Sequence, residues 1–497
     1  MTINLLRRAR SRRTTAPTPL TAGGPPGTAG ATANATDTAA RDSAPATAAA
    51  GGSPALTRTL GWFTLAALGV SFVISGDFAG WQFGLQSGGF GGLFVALFVV
   101  TALYLGLCLV LAELSSALPS AGGGYLFAAT AMGPVAGFAT AAAILLEYVL
   151  APAAIATFIG GYAESLGIPG ISAGWPLYLA CYAVVIAIHL AGAGEAMKVM
   201  MAITAVAVVA LIVYCITMAP HVDFGSVTET AQGVPHGVTA VNVWAAVPFA
   251  IWFFLAVEGV PMAAEEAREP HRTMPRAILG AMAFLLVAAI AMMVFGPAAG
   301  GVATFAGSDN PLVDGLRAVG ANGAVVAFVN WAALAGLVAS FFSIIYGYSR
   351  MTWSVANAGL LPGVLSGVTR RGVPAAALIV PGIIGFILTL FVDGDVLMSA
   401  AVFGAVISYV LICVAHLVLA SRRPDIERPY RTPGGRVTSG ITLALAVFAA
   451  AATFVNDLTL GLVLSVVLIG ATAVYAVIRR VRLYTLEAEA NYEEAHA

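Results

Sequence analysis

The amino-acid sequence predicts an all-α membrane protein with twelve transmembrane helices. Three observations support this prediction: hydrophobic residues make up 59% of the 497 residues, charged residues make up only 9%, and the mean hydropathy is +0.91. A soluble domain has about 25% charged residues, so this chain has too few to cover a water-exposed surface. The apolar runs are continuous rather than alternating, which excludes a transmembrane β-barrel and favours helices.

The apolar runs divide the body of the chain into separate spans, because a helix needs about 20 residues to cross the hydrocarbon core of a bilayer. We number these spans 1 to 12 in chain order. They cover residues 59–84, 90–114, 133–160, 174–193, 197–218, 243–265, 276–299, 322–353, 374–391, 395–420, 438–456 and 458–480. The sequence therefore predicts a membrane body at residues 56–482, followed by a C-terminal tail at 483–497.

The positive charges predict the orientation of this body. In a twelve-span topology both termini and every second loop lie on one side of the membrane. Of the 23 Lys and Arg residues, 22 fall on that side and only Arg317 falls on the other. Lys and Arg are enriched in cytoplasmic loops. We therefore expect both termini to be cytoplasmic, in a protein of a bacterial cell (inner) membrane.

The first 55 residues differ from the body. They are rich in Ala, Thr, Pro and Gly and have no apolar periodicity, so we expect residues 1–55 to form a disordered cytoplasmic tail. The Arg residues between Arg7 and Arg13 are followed by Thr, Ala, Pro and Gly rather than by an apolar region, which argues against a signal peptide.

The composition and motifs also restrict the function. A net charge of -1 gives no reason to expect nucleic-acid binding. The chain has no ATP-binding loop, no zinc-protease motif and no Cys/His cluster, so we expect neither an enzyme nor a bound metal or cofactor. Its four cysteines all fall inside apolar runs and are predicted to be small core residues.

Four carboxylates fall inside predicted spans, away from their terminal residues: Asp77, Glu113, Glu147 and Glu258. A charged group at the centre of a membrane helix costs about 2.5–3.5 kcal/mol on insertion scales, so such residues are functional candidates. Glu113 lies near the cytoplasmic end of span 2, and we expect it to reach the interface or to pair with a basic loop. His189 and His416, in spans 4 and 10, are expected to be structural hydrogen-bonding groups.

Spans 1 and 6 each contain residues that interrupt a helix. In span 1, Ser75-Gly76-Asp77 predicts an unwound hinge, because Gly frees the backbone and Ser and Asp compete for its amides. Asp77 alternatively acts only as the N-cap of the second half-helix. In span 6, Gly259 and Pro261 follow Glu258 and disrupt the helix. The alternative for Glu258 is a buried acid paired with Arg or Ser.

The two breaks lie five spans apart, which predicts a 5+5 inverted repeat with halves at 57–218 and 243–420 and with spans 11 and 12 at 438–480. Interrupted helices at corresponding positions in two halves indicate a transporter substrate site. Span 3 would line this site with Glu147, unless Glu147 only pairs with a polar group of the bundle. The candidate substrate-binding residues are Ser75, Gly76, Asp77, Glu147, Phe254, Ala256, Glu258 and Gly259.

Residues 253–276 and residues 118–125 resemble segments of the amino acid–polyamine–organocation (APC) superfamily of permeases. Within it, residues 73–81 and 146–153 look most like the bacterial ethanolamine permeases. The resemblance covers about residues 57–480 and implies a secondary transporter without a cofactor. Ser340 and Ser343 in span 8 stand where related sodium-coupled transporters hold an ion, which is one option for coupling. The other is a proton, for which Glu147, Glu258 and Asp77 are the titratable candidates.

One departure from that superfamily concerns the substrate. Typical amino-acid permeases have Gly-small-Gly in the first break, where bare amides receive the substrate carboxylate. Here Asp77 puts a carboxylate in that place, which favours an amine with a hydroxyl and without a carboxylate, such as ethanolamine. An amino acid or polyamine permease is the alternative within this class, and a channel or receptor-like protein is the alternative outside it.

The charge distribution leads to a labelling prediction. Single cysteines at Asp309 and Arg431, in a background without the native cysteines, should react with a membrane-impermeant thiol reagent from opposite sides. Asp309 should be labelled on intact cells, and Arg431 only in inverted vesicles, because the loops that contain them differ in positive charge. Labelling of both positions from one side would contradict this topology.

Overall fold

The structure is a computed structural model that describes residues 60–228 and 232–496, without the side chains of 193–198 and 481–496. The tail predicted at 1–55 lies outside the described residues. Within them the fold is helical and contains no β-strand, apart from one isolated bridge between Leu60 and Ala267. The all-α prediction is confirmed for this part of the chain.

The twelve predicted spans are present in the described residues. Nine helices are long and apolar enough to cross a membrane, and three shorter apolar helices complete the set. In order, the spans are Trp62–Val73 with Ser75–Phe78, Trp81–Ala117, Pro134–Ser165, Trp175–Ala191, Ala193–Met218, Ala240–Trp252 with Val257–Glu266, Pro270–Phe295, Gly323–Asn357, Ala375–Leu388, Gly394–Arg422, Arg436–Asn456 and Leu458–His496.

Four short helices in the loops were not predicted. One, Gly124–Met132, joins spans 2 and 3, and three lie between spans 7 and 8 at Pro297–Gly300, Val302–Phe305 and Pro311–Ala318. They are too short to give a span-length apolar run. Two of them begin with Pro, which is favoured in the first turn of a helix.

Span 3 lies at the centre of the bundle. In the most apolar 18-residue stretch of span 3, 72% of the residues are buried, whereas in the corresponding stretch of span 12 only 11% are buried. Span 3 packs along spans 8 and 10, while span 2 packs along span 6. Residues of span 3, which belongs to the first half of the chain, are therefore placed to contact the second half, whereas most of span 12 faces outward from the bundle.

The break in span 1 lies after the position that the sequence predicted. Ser75–Phe78 is helical, and the chain leaves the helix at Ala79, which is extended, and Gly80, whose φ is 108°. The prediction of an unwound Ser75-Gly76-Asp77 is thus wrong in position, because Gly80 is the glycine that takes the left-handed conformation. Asp77 caps nothing, since neither of its carboxylate oxygens has a hydrogen-bond partner in the described part of the chain.

The break in span 6 begins before the position that the sequence predicted. The α-helix ends at Trp252, Ala256 has a φ of 74°, and a 3₁₀ helix runs from Val257 to Glu266. Glu258 and its neighbours therefore lie in the 3₁₀ segment rather than at the interruption itself. A left-handed alanine is strained by about 1–2 kcal/mol, so the surrounding packing must hold it in place.

The two breaks are bonded to each other. The indole Nε1 of Trp252 donates to the carbonyl oxygen of Ala79 over 3.0 Å. In return, Gly76 packs so closely that a methyl group there would lie 2.5 Å from the carbonyl oxygen of Trp252. Backbone groups freed inside a membrane must find partners within the protein, and here each broken span helps to cover the other.

Span 3 supplies partners for both breaks. The hydroxyl of Tyr162 donates to the carbonyl oxygen of Phe78 over 2.7 Å, and the hydroxyl of Tyr148 donates to that of Ala256 over 3.5 Å. A buried Tyr hydroxyl needs a hydrogen-bond partner, and a freed carbonyl needs a donor. The two requirements are met together along one helix.

Glu113 pairs with a basic loop, which confirms that prediction. Its Oε1 lies 3.0 Å from Arg428 Nη1, and its Oε2 accepts the Thr432 amide over 2.8 Å and lies 3.0 Å from His416 Nε2. The other ring nitrogen of His416 is 2.8 Å from the hydroxyl of Ser439. This network connects span 2 to span 10, to the following loop and to span 11.

The structure agrees with the prediction for His189 and with the core prediction for two of the four cysteines, while Cys181 and Cys215 are only partly buried. His189 Nε2 lies 3.2 Å from the carbonyl oxygen of Phe342, and its ring stacks on the ring of that residue. All four cysteines are free thiols, and Cys108 and Cys413 are buried. His189 and the two buried cysteines therefore contribute to packing within the bundle.

Glu113→Gln should lower the stability of the fold. The variant keeps the size of the side chain but removes the charge that faces Arg428 and His416, so hydrogen bonds to a charged group are weakened by about 1.5–3 kcal/mol. We expect a lower melting temperature in detergent than for the wild type. Glu164→Gln, at an exposed residue, is the matched control. Equal melting temperatures for the two variants would contradict a structural role for this network.

Gly76→Ala should destabilise the contact between spans 1 and 6. The added methyl group meets a backbone carbonyl that cannot rotate away, and overpacking of this kind typically costs about 1–3 kcal/mol. The readouts are the yield of monodisperse protein and its melting temperature. Gly440→Ala is the control, because that helical glycine has no atom within 4 Å of an added methyl group. If Gly76→Ala is as stable as Gly440→Ala, the close approach of the two breaks is wrong.

Candidate functional site

Two of the predicted acids meet in the centre of the bundle. Glu147 of span 3 and Glu258 of span 6 are 0% and 3% exposed, and the two side chains are close enough to interact with each other. Two carboxyl groups in this arrangement share a hydrogen bond only when one of them is protonated. The hydroxyl of Tyr409, from span 10, donates to Oε2 of Glu258 over 3.0 Å.

A short chain of tyrosine hydroxyls leads to this pair. The hydroxyl of Tyr104 in span 2 lies 3.0 Å from that of Tyr409, and Tyr104 also donates to the carbonyl oxygen of Ile251 over 3.4 Å. Neither tyrosine was predicted as a site residue. The available signal was a tyrosine deep in an apolar span, because its hydroxyl requires a polar partner there.

Asp77 is the third buried acid, and it is 1% exposed. It lies in the Ser75–Phe78 segment of span 1, which packs against spans 7 and 8. The three buried acids therefore come from spans 1, 3 and 6.

Most oxygens of the three acids have no hydrogen-bond partner in the described residues. They are both oxygens of Asp77, both oxygens of Glu147, and Oε1 of Glu258. The ion pairs in the described regions do not include these acids. A buried carboxylate without partners is costly, so these oxygens are candidate acceptors for a ligand. The alternative of Glu258 paired with Arg or Ser is wrong, since its protein partner is Tyr409.

The predicted ion-coupling residues belong to a separate cluster of hydroxyl groups. Ser340 donates to Ser75 over 2.9 Å, Ser343 lies 2.7 Å from Ser71, and Thr204 of span 5 donates to Ser71 over 3.0 Å. The cluster ties spans 1, 5 and 8 together. Ser75 is thereby engaged with span 8 rather than with the acids, and these hydroxyls are already bonded to one another.

The other predicted site residues surround the break in span 6. The ring of Phe254 packs against that of Tyr104 with centroids 5.2 Å apart, and Ala256 offers its carbonyl oxygen to Tyr148. A methyl group at Gly259 would lie 2.5 Å from the Tyr148 hydroxyl. Glycine is therefore required where span 3 passes closest to the 3₁₀ segment.

Contacts join three spans at the end of the bundle that is predicted to be cytoplasmic. Glu266, at the end of the 3₁₀ segment, forms an ion pair of 2.6 Å with Arg350 of span 8 and accepts the hydroxyl of Tyr346 over 2.6 Å. Beside it, the backbone of Leu60 pairs with that of Ala267. Spans 1, 6 and 8 are thus joined at this end.

Contacts also join the broken span to a loop on the opposite side. Gln82 accepts the amide of Gly80 over 2.7 Å and donates to the carbonyl oxygen of Ser308 over 3.1 Å. The hydroxyl of Ser308 in turn donates to Asp314 over 2.8 Å. The three acids are buried in this conformation.

Comparison with known proteins gives the family. Residues 60–478 match the family model described as amino acid permease. The chain is similar to the branched-chain amino acid permease BcaP of Bacillus subtilis, with 29% identity over 81% of this chain and 89% of the relative. It is also similar to the methylthioribose transporter of Bacillus subtilis (26%; 77% and 85%) and the D-serine/D-alanine/glycine transporter of Escherichia coli K12 (26%; 67% and 74%). The family match and the twelve spans show that this chain belongs to the amino acid permease family of the APC superfamily and is a multi-pass membrane transporter.

Proposed function

We propose that this transporter carries ethanolamine or a similar small amine by alternating access. The observation that supports this proposal is the set of buried carboxylate oxygens of Asp77, Glu147 and Glu258 that have no partner in the described residues. The proposal includes the orientation predicted from the sequence, with both termini on the cytoplasmic side of the membrane.

A cationic substrate follows from the charge of the site. An ammonium group supplies three N–H donors and no acceptor, so it complements oxygens that have no donor of their own. Hydrogen bonds between ionised partners are about twice as strong as neutral ones. The hydroxyls of Tyr104 and Tyr409 beside the glutamate pair provide further polar contacts for a substrate hydroxyl.

A substrate carboxylate has no receptor in the first break. The amides of Asp77 and Ala79 already donate to the carbonyl oxygens of Ile74 and Ser75, because this segment is helical. The nearest side-chain anion, Asp77, would repel a second carboxylate at close range. Both features favour an amine that lacks the carboxylate of an amino acid.

The glutamate pair gives a simple route to proton coupling. Without substrate, one proton between Glu147 and Glu258 lowers the cost of burying two carboxylates side by side. Arrival of an ammonium at the same oxygens would compete with that proton, so movement of the two cations would be linked. Sodium at Ser340 and Ser343 is the alternative, but those hydroxyls are hydrogen-bonded to other groups of the protein.

An amino acid substrate is the second candidate. It is favoured by the relatives whose names state branched-chain amino acids or D-serine, D-alanine and glycine. Competition against labelled ethanolamine in proteoliposomes separates the two candidates. Inhibition by ethanolamine and small amines but not by leucine or alanine is expected, and the reverse order would favour the amino acid permease.

Asp77→Asn tests the role of the span 1 acid. The variant keeps the size of the side chain but removes the charge, so ethanolamine affinity should fall roughly 10- to 150-fold, as expected for loss of a hydrogen bond to a charged group. The affinity for a neutral diol, which competes only weakly with ethanolamine, should fall much less. Uptake by proteoliposomes, with and without an imposed proton gradient, measures both effects.

Glu258→Gln and Glu164→Gln complete this experiment. Glu258→Gln should reduce affinity and also the dependence on the proton gradient, whereas the exposed Glu164→Gln should change neither. Unchanged ethanolamine affinity in a well-folded Asp77→Asn protein would remove Asp77 from the substrate site. The ammonium would then be assigned to the glutamate pair alone.

A further inference from the structure

A polar cavity lies at the ends of spans 2 and 10 and at the start of span 11. Its volume is about 340 Å³, and its lining includes Glu113, His416, Arg428, Arg431 and Arg436. None of the candidate substrate-binding residues belongs to this lining. The cavity is at the level where the spans leave the membrane, because span 10 ends at Arg422 and span 11 begins at Arg436.

The cavity has an excess of positive charge. Glu113 is its one acidic lining residue among the described residues, and both oxygens of Glu113 are engaged by Arg428, His416 and the amide of Thr432. Arg428 therefore offsets the charge of Glu113. The guanidinium groups of Arg431 and Arg436 have no carboxylate opposite them in the lining.

Two of the guanidinium groups are held in place. Arg428 donates to the carbonyl oxygen of Leu419 over 3.0 Å, and Arg436 donates to that of Ala420 over 2.8 Å. Each guanidinium has five N–H donors, so donors remain for a ligand after these bonds are made. Fixed side chains lose less entropy when a ligand binds, and this advantage applies to Arg428 and Arg436.

The start of span 11 adds to the same field. Its N-cap residue, Gly435, has a φ of 53°, and the helix then begins with Arg436. The N-terminal end of a helix carries partial positive charge and favours phosphate and other anions. Here this end contributes to a cavity that is already lined by arginines.

We propose that this cavity binds a phosphate group, either in the headgroup of an anionic phospholipid or in a soluble phosphate ester. Arg is suited to phosphate because its planar guanidinium donates two parallel hydrogen bonds to phosphate oxygens. Basic pockets between membrane helices at the bilayer surface are suited to anionic headgroups. Bound there, the phosphate would link span 10 to span 11 beside the Glu113 network.

The test uses the full chain purified in detergent and native mass spectrometry. Binding of phosphatidylglycerol and cardiolipin is compared with binding of phosphatidylcholine, and glycerol 3-phosphate and inorganic phosphate are added as soluble competitors. R431Q/R436Q is the test variant. R370Q/R371Q, at two exposed arginines of the loop between spans 8 and 9, removes the same charge elsewhere.

We expect anionic lipid to bind more tightly than phosphatidylcholine and R431Q/R436Q to weaken this binding roughly 10-fold or more, as for loss of charge-assisted hydrogen bonds. R370Q/R371Q should bind as the wild type does. Competition by glycerol 3-phosphate at low concentration would assign the cavity to a soluble ester. Equal binding by both double variants, or no preference for anionic lipid together with no binding of soluble phosphate, would overturn the proposal.

Should R431Q/R436Q prove unstable, Arg431→Gln alone replaces it. Arg431 makes no hydrogen bond or ion pair within the described residues, so its loss removes charge from the cavity without removing a contact of the fold. The melting temperature of Arg431→Gln should equal that of the wild type. Weaker anion binding at an unchanged melting temperature supports the site, and unchanged binding overturns it.

Discussion

The contact between the two broken spans is the constraint on which the rest of the structure depends. A carbonyl freed from its helix inside a bilayer has no water to bind, so it must find a donor in the protein. The indole of Trp252 meets this need for Ala79, and Gly76 leaves room for the backbone of span 6 to approach. The breaks in spans 1 and 6 therefore have to lie against each other.

The same requirement fixes the position of span 3 and of the acid that it carries. Tyr148 and Tyr162 donate to carbonyl oxygens at both breaks, so span 3 must pass beside each of them. Glu147 directly precedes Tyr148 in the sequence, and it meets Glu258 from the segment that follows the span 6 break. The residues that satisfy the backbone thus also bring the two glutamates together.

The sequence predicts the features that depend on neighbouring residues, and it does not predict those that depend on residues far apart in the chain. The spans were predictable because hydropathy and helix length are local properties. The break in span 1 was predicted at the wrong position because the segment contains more than one glycine, and tertiary packing selected Gly80 rather than Gly76. The charge of Glu113 indicated a basic partner, but Arg428, 315 positions away, was identified only in three dimensions. Tyr104 and Tyr409 were missed for the same reason.

The relatives show why the substrate has to be argued from individual side chains. Their names state branched-chain amino acids, methylthioribose, and D-serine with D-alanine and glycine, although each is 26–29% identical to this chain. Relatives at this level of identity therefore have names that state substrates of different charge and shape. Changing a few groups at the breaks alters the electrostatics without disturbing the backbone contacts, because those contacts are made by tryptophan, tyrosine and glycine. Under the proposed function, the buried oxygens of Asp77, Glu147 and Glu258 that have no protein partner would receive the ammonium group of the substrate, while the tryptophan, tyrosine and glycine contacts hold the two breaks together.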